Sequence, residues 1–297
     1  MARWKQFRGT GTALVTPFKR NGSLDEPSLL QLLDFQIKGG VEALVPLGTT
    51  GESPSLSAGE RRRIIELTVE RTNRKTVVIA GAGSNNTTKT IEMVREAGNA
   101  GVDAVLLVGP YYNKPTQEGY FQHYLAIAEA VDIPIIVYNV PGRTGGNIEA
   151  STILRLAEEV PTVVGVKEAS GNMAQIMEIA RNKPARFSLL SGDDAMTLPL
   201  MAVGGDGCIS VVANEVPDVF SKLVRFCLKG KWEKARALHE KLLPLMNINF
   251  IESNPIPVKA ALALMGHIEE VYRLPLVEIA PDHRESLVKT LKALKVL

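Results

Sequence analysis

The chain reads as a (β/α)₈ barrel followed by a helical C-terminal segment. Three observations predict this. Short β-branched runs recur eight times between residues 11 and 214, helical periodicity follows them, and strand signals stop after about Leu228. Strands that alternate with helices imply parallel pairing, because parallel strands need crossover connections. Eight such units in about 220 residues match the barrel in number and size. An open doubly wound sheet is the alternative. It usually carries fewer strands, and no glycine-rich dinucleotide fingerprint follows the first run.

In order, the predicted strands are 11–18, 43–48, 76–83, 104–110, 134–141, 163–170, 187–194 and 207–214. Predicted helices between them include 27–38, 57–72, 87–97, 117–130, 150–159 and 217–228. Ser57, three residues before Glu60, reads as a capping box, and Thr87 reads as the cap of the next amphipathic run. Beyond Leu228, segments 231–243, 257–265 and 284–297 read as helices. They are punctuated by Pro244, Asn254-Pro255-Ile256-Pro257 and Leu274-Pro275. The expected organisation is a catalytic barrel over 1–228 and a helical domain over 229–297. No flexible linker separates the two, so the second is expected to pack on the first.

Composition narrows the class. Of 297 residues, 45% are hydrophobic and 22% charged, which suits a globular chain with a sizeable core. Thirty-four basic against 32 acidic residues leave a net +2, which argues against a nucleic-acid-binding surface. The N-terminus has charge but no apolar stretch of signal-peptide type, and no run approaches a membrane span. Cys208 and Cys227 have no metal-ligand spacing and fit reduced thiols, so a cytoplasmic location is expected.

In a barrel of this kind the chemistry sits at the carboxyl ends of the strands. Those ends carry Gly48-Thr49-Thr50-Gly51-Glu52, Gly109-Pro110-Tyr111-Tyr112-Asn113, Tyr138-Asn139-Val140-Pro141-Gly142-Arg143, Lys167, Ser191-Gly192-Asp193-Asp194 and Ile209-Ser210. No histidine is among them, and the four histidines show no metal-binding spacing. Asp193-Asp194 could hold Mg²⁺, but a helix cap is the simpler reading.

Lys167 ends the apolar run Val163-Val164-Gly165-Val166. Burying an ammonium without a partner is costly, and desolvation favours the neutral amine, a nucleophile for carbonyls. Such a lysine could also simply end a strand. Gly48-Thr49-Thr50-Gly51 could be ordinary turn chemistry or a nest for a carboxylate. Tyr138 could be a half-buried strand residue, Tyr111 and Tyr112 core and rim, and Arg143 a solvated loop residue. Each signal is weak alone, and their joint placement on one rim is what gives them weight.

Taken together, Gly48-Thr49-Thr50-Gly51-Glu52, Tyr138-Asn139-Val140-Pro141 and Gly165-Val166-Lys167-Glu168-Ala169 resemble the pyruvate-dependent Schiff-base lyase family, which includes dihydrodipicolinate synthases and N-acetylneuraminate lyases. Pro141-Gly142-Arg143-Thr144-Gly145 and Pro110-Tyr111-Tyr112-Asn113 resemble the synthase branch. The resemblance implies condensation of pyruvate with L-aspartate 4-semialdehyde on the route to diaminopimelate and lysine. It implies that Lys167 forms the imine, and that Thr49 and Thr50 hold the pyruvate carboxylate. Tyr138, Thr49 and Tyr112 would relay protons, Tyr112 reaching in from a neighbouring subunit. Arg143 would bind the semialdehyde carboxylate, and Gly192 and Ile209 would line the pocket with backbone groups. It implies no cofactor and no metal, and a homodimer or homotetramer. A sister lyase acting on a sugar acceptor, and a keto-acid-binding barrel without turnover, remain as alternatives.

The resemblance also implies an effector site at a subunit interface, which in lysine-inhibited members holds lysine through an acidic side chain and often a histidine. Here those positions are Lys89 and Arg61, beside Ser53, Asn85 and Tyr111. Two cations in that place predict weak or absent inhibition by L-lysine.

Overall fold

The structure, a computed structural model, describes residues 7–297. Residues 1–6, on which part of the N-terminal reading rests, lie outside the described residues. Eight parallel strands close into a barrel: β1 (Gly9–Ala13), β2 (Ala43–Val45), β3 (Val77–Gly81), β4 (Ala104–Val108), β5 (Ile135–Asn139), β6 (Val163–Glu168), β7 (Ser188–Ser191) and β8 (Gly207–Ser210). They are hydrogen-bonded in chain order, and β8 returns to β1. The strands are shorter than predicted. The apolar residues beyond their ends belong to rim turns, and Val212–Asn214 forms a 3₁₀ turn.

The helices around the barrel are α1 (Glu26–Gly39), α2 (Ala58–Thr72), α3 (Thr87–Asn99), α4 (Gln117–Ala130), the single turn α5 (Pro141–Thr144), α6 (Ala150–Glu159), α7 (Met173–Asn182), α8 (Thr197–Ala202) and α9 (Pro217–Leu228). The capping box on α2 forms as expected. On α3 the cap is Asn86, whose carboxamide accepts from the Lys89 amide at 2.9 Å. Thr87 is instead the first helical residue, and its hydroxyl engages His123 Nδ1 at 2.9 Å.

The C-terminal helices are α10 (Trp232–Ile248), α11 (Ile256–Leu264) and α12 (Pro281–Ala293). Pro244 lies inside α10 rather than ending it. A helix-interior proline forfeits one bond and strains the turn before it. Here Leu242, Leu245 and Met246 are all buried on the same helix, and that packing carries the helix through.

Among the described residues, a small apolar region of Val15, Leu32, Val211, Val258, Leu262 and Ile268 and two large ones fill the molecule. Of the large ones, the first is the more extensive. One lies between strands and helices and runs without a break into α10, α11 and α12 through Leu242, Met246, Ala260 and Leu287. The other fills the barrel interior and includes Val45, Ile79, Leu106, Ile136, Tyr138 and Ile209.

Candidate active site

The site begins with an irregularity in β6. Ile135 pairs with Val163, but the next residue, Ile136, pairs with Gly165, so Val164 is an inserted residue. Side chains alternate across a strand, and a one-residue slip sends every later side chain to the other face. Counted from Val163 without the bulge, Val166 would face the barrel and Lys167 the helices. With it, Val166 packs in the outer core, and Lys167 comes level with Tyr138 on the inner face. Bulges re-aim side chains in this way beside active sites. Gly165 is required by close approach: a Cβ there would lie 2.8 Å from the Ser188 carbonyl oxygen.

Lys167 is 5% exposed. Its Nζ sits 4.3 Å from the centre of the Tyr138 ring. Its methylene stem lies against Gly192, where an added Cβ would meet Cε at 3.0 Å and Cγ at 3.1 Å. No carboxylate among the described residues is in ion-pair range of this amine. A second buried lysine shows the opposite arrangement. Lys259 on α11 is 0% exposed, and its Nζ is 2.5 Å from Glu52 Oε1. Burial pushes the Lys259 amine below the ordinary lysine range, and the Glu52 carboxylate opposes that. Lys259 is thus matched to a counter-ion, while Lys167 is matched to a ring and a glycine. Lys259 escaped the sequence reading because its partner is 207 residues away.

The loop after β2 supplies the threonines. Thr49–Gly51 form one 3₁₀ turn that closes on Glu52, which adopts φ 52°. Both ends of the turn are anchored. The Thr16 hydroxyl donates to the Gly51 carbonyl at 2.7 Å, and Glu52 is held by Lys259. Thr50 is buried and Thr49 half-buried. The Asn254 carboxamide donates to Thr50 Oγ1 at 3.0 Å, so that hydroxyl keeps its own proton to donate. The Asn254 carbonyl oxygen lies 3.5 Å from Arg143 Nη2. Asn254, which the sequence reading treated only as a turn residue, therefore touches two candidate substrate-binding residues. Arg143 itself is exposed on α5, and Ile209 is buried on β8.

The remaining candidates lie further out. Tyr112 is 89% exposed with φ 70°, its amide donating to the Thr144 carbonyl. A non-glycine residue in the left-handed region beside a site is held there at a cost. Tyr111 is also exposed. Asn85 exchanges bonds with Asn113, Arg61 donates to the Leu56 carbonyl, Ser53 starts a short 3₁₀ turn, and Lys89 is exposed on α3. Asp193 accepts from the Ala195 and Met196 amides at the turn into α8, while buried Asp194 accepts from the Val211 and Val212 amides. Among the described residues, no group of three or more His, Cys, Asp or Glu side chains is placed to hold a metal ion. Cys208 and Cys227 are both free and buried, and burial pushes both thiols up, Cys227 to about 11.

Fold and site geometry together define a class: (β/α)₈ barrels with a buried lysine amine on the inner face of the sixth strand, without a counter-ion among the described residues. The chain belongs to the dihydrodipicolinate synthetase family, whose model matches residues 6–294. It is 54% identical to the 4-hydroxy-tetrahydrodipicolinate synthase of Koribacter versatilis (strain Ellin345), over 96% of this chain and 95% of that one. It superposes with a TM-score of 0.97 on the dihydrodipicolinate synthase of Thermotoga maritima, at 48% identity, covering 98% of this chain and 100% of that one. The Acinetobacter baumannii enzyme, solved with pyruvate, superposes with a TM-score of 0.96 at 43% identity, covering 98% and 99%.

Proposed function

We propose that this lyase condenses pyruvate with L-aspartate 4-semialdehyde to 4-hydroxy-tetrahydrodipicolinate, through an imine on Lys167. The observation that carries the reading is the buried Lys167 amine, unpaired and 4.3 Å from the Tyr138 ring. In this reading the amine adds to the pyruvate ketone and water leaves. Loss of a methyl proton gives the enamine, whose terminal carbon attacks the aldehyde. The amino group of the bound semialdehyde then attacks the imine carbon and releases Lys167 as the ring closes. The Tyr138 phenol moves protons in these steps, with Thr49 and the partner subunit's tyrosine at position 112 extending the relay. Thr50 and Thr49 hold the pyruvate carboxylate, Gly192 and Ile209 line the pocket, and Arg143 takes the carboxylate of the semialdehyde. The imine is itself the electron sink, so no cofactor is needed.

The exposure of Tyr112 supports assembly as a homodimer or homotetramer, since a phenol in solvent contributes nothing to its own barrel. Residues 229–297 act as a helical domain packed on the barrel 1–228. Among the described residues no helix is long and apolar enough to cross a membrane. Two unpaired buried cysteines suit the cytoplasm, where thiols stay reduced. Lys89 and Arg61 present positive charge to the ammonium of L-lysine, so inhibition by it is weak. Half-inhibition at sub-millimolar lysine would overturn that part.

Turnover is measured with pyruvate and either L-aspartate 4-semialdehyde or N-acetylmannosamine. Product from the semialdehyde alone supports the reading, whereas product from the sugar sinks the assignment of Arg143. Borohydride is expected to fix pyruvate to Lys167 in the native protein and to leave Lys167→Ala unmodified.

A further inference from the structure

Directly behind Lys167 and Tyr138, on the opposite face of their strands, lies a second pair in register: Asn139 on β5 faces Glu168 on β6. Both are buried, Asn139 to 1% and Glu168 to 1% exposure. The Glu168 carboxylate accepts from the Ser170 amide at 2.7 Å, from Asn139 Nδ2 at 3.0 and 3.3 Å, and from Gln175 Nε2 at 3.1 Å. The amides are bound in turn to one another and to the chain after α5. Asn139 Nδ2 donates to Asn147 Oδ1 at 2.9 Å, and Asn139 Oδ1 accepts from the Ile148 amide at 3.0 Å. Asn147 Nδ2 donates to Gln175 Oε1 at 2.8 Å, and Gln175 Nε2 also reaches the Ile148 carbonyl at 3.2 Å. One network thus joins the ends of β5 and β6, the segment that follows Arg143, and the first turn of α7.

We infer that Glu168, with Asn139 and Gln175, is the positioning frame of the active site, fixing the relative placement of the Lys167 amine and the Tyr138 phenol. The inference rests on the imine reading above. Its physical ground is the bulge at Val164. A bulge leaves one residue unpaired and disrupts the ladder locally, and every pair beyond it is offset by one residue. On the far side of that bulge, Asn139 and Glu168 lock the register by side chain, one residue beyond the reacting pair. A buried carboxylate with its donors is a costly device for stability alone, because burying a charge carries a desolvation penalty. It is a good device for geometry, because a satisfied polar network admits one arrangement.

The test is Glu168→Gln, which keeps the volume and turns one acceptor into a donor facing other donors. The frame must then shift, and kcat is expected to fall about 10- to 100-fold while KM for pyruvate moves less than about threefold. Pyruvate is still trapped on Lys167 by borohydride, but more slowly. The exchange variant Asn139→Asp/Glu168→Gln restores a donor facing an acceptor across the two strands and recovers about tenfold of the lost rate. A purely structural role for Glu168 lowers Tm and leaves kcat and the rescue flat, and that result overturns the inference. Should Glu168→Gln not fold, Gln175→Met removes one donor, and its kcat and trapping rate are read in the same way. Trapping in the native protein with unchanged kcat in these variants defeats the frame alone. Absence of trapping in the native protein defeats the imine reading, and the frame with it.

Discussion

Lys259 and Lys167 are both buried, yet among the described residues only the first has a counter-ion. Replacing Lys259 with Met leaves the Glu52 carboxylate buried and unpaired, which is expected to cost about 3–5 kcal/mol in chemical denaturation. The double change Lys259→Met/Glu52→Leu is expected to recover much of that loss. Lys167→Ala is expected to do the reverse, with little change in Tm and loss of turnover. Arg143 is exposed, and among the described residues its side chain makes one long hydrogen bond, to the Asn254 carbonyl. Arg143→Ala is therefore expected to leave stability within about 0.5 kcal/mol. It should lower kcat/KM for the semialdehyde by about 10²-fold, with pyruvate trapping intact. At this scale the sequence placed Lys167, Tyr138 and Thr49 at or just after strand ends, and the structure has them there. The sequence was silent about contacts distant along the chain. Lys259 sits in a helix of small apolar residues, and Asn254 in a proline-rich turn. Nothing in their spacing points to Glu52 or Thr50.

Elements were legible in kind and order, and less so in their ends. Rim turns such as Val212–Asn214 are as apolar as the strands they follow, so periodicity alone runs them together. The bulge in β6 leaves no composition signal, because Val163, Val164 and Val166 look alike until their partners are known. Helix α2 shows an element held at its first turn from two sides. Glu60 closes the capping box with Ser57 and also clamps Arg273, from the loop between α11 and α12. The Arg273 guanidinium, ahead of the bonds to Ser57, holds the Glu60 carboxyl at about 2, below its ordinary 4.5. A carboxyl depressed on folding adds stability that is complete above its unfolded value and is lost as pH falls toward its folded one. The Tm gap between the native protein and Glu60→Gln is therefore expected to be widest at neutral pH and to close between about pH 4.5 and 2. A gap that stays constant through that window would assign the effect to packing.

At the scale of the molecule, the barrel and the C-terminal helices share one apolar region, which the absence of a linker in the sequence had suggested. What the sequence could not show is where the helices reach into the mouth. Asn254 binds Thr50 from the loop after β2 and lies against Arg143 after β5, while Lys259 grips Glu52. This has a consequence in time as well as in space. A ribosome makes the amine and the phenol long before it makes the residues that steady the threonine loop and the arginine. A chain that stops before Asn254 carries Thr50, Arg143 and Glu52 without the C-terminal side chains that bind them. The threonine loop and the arginine thus gain their outer supports only once residues 254–259 have been made.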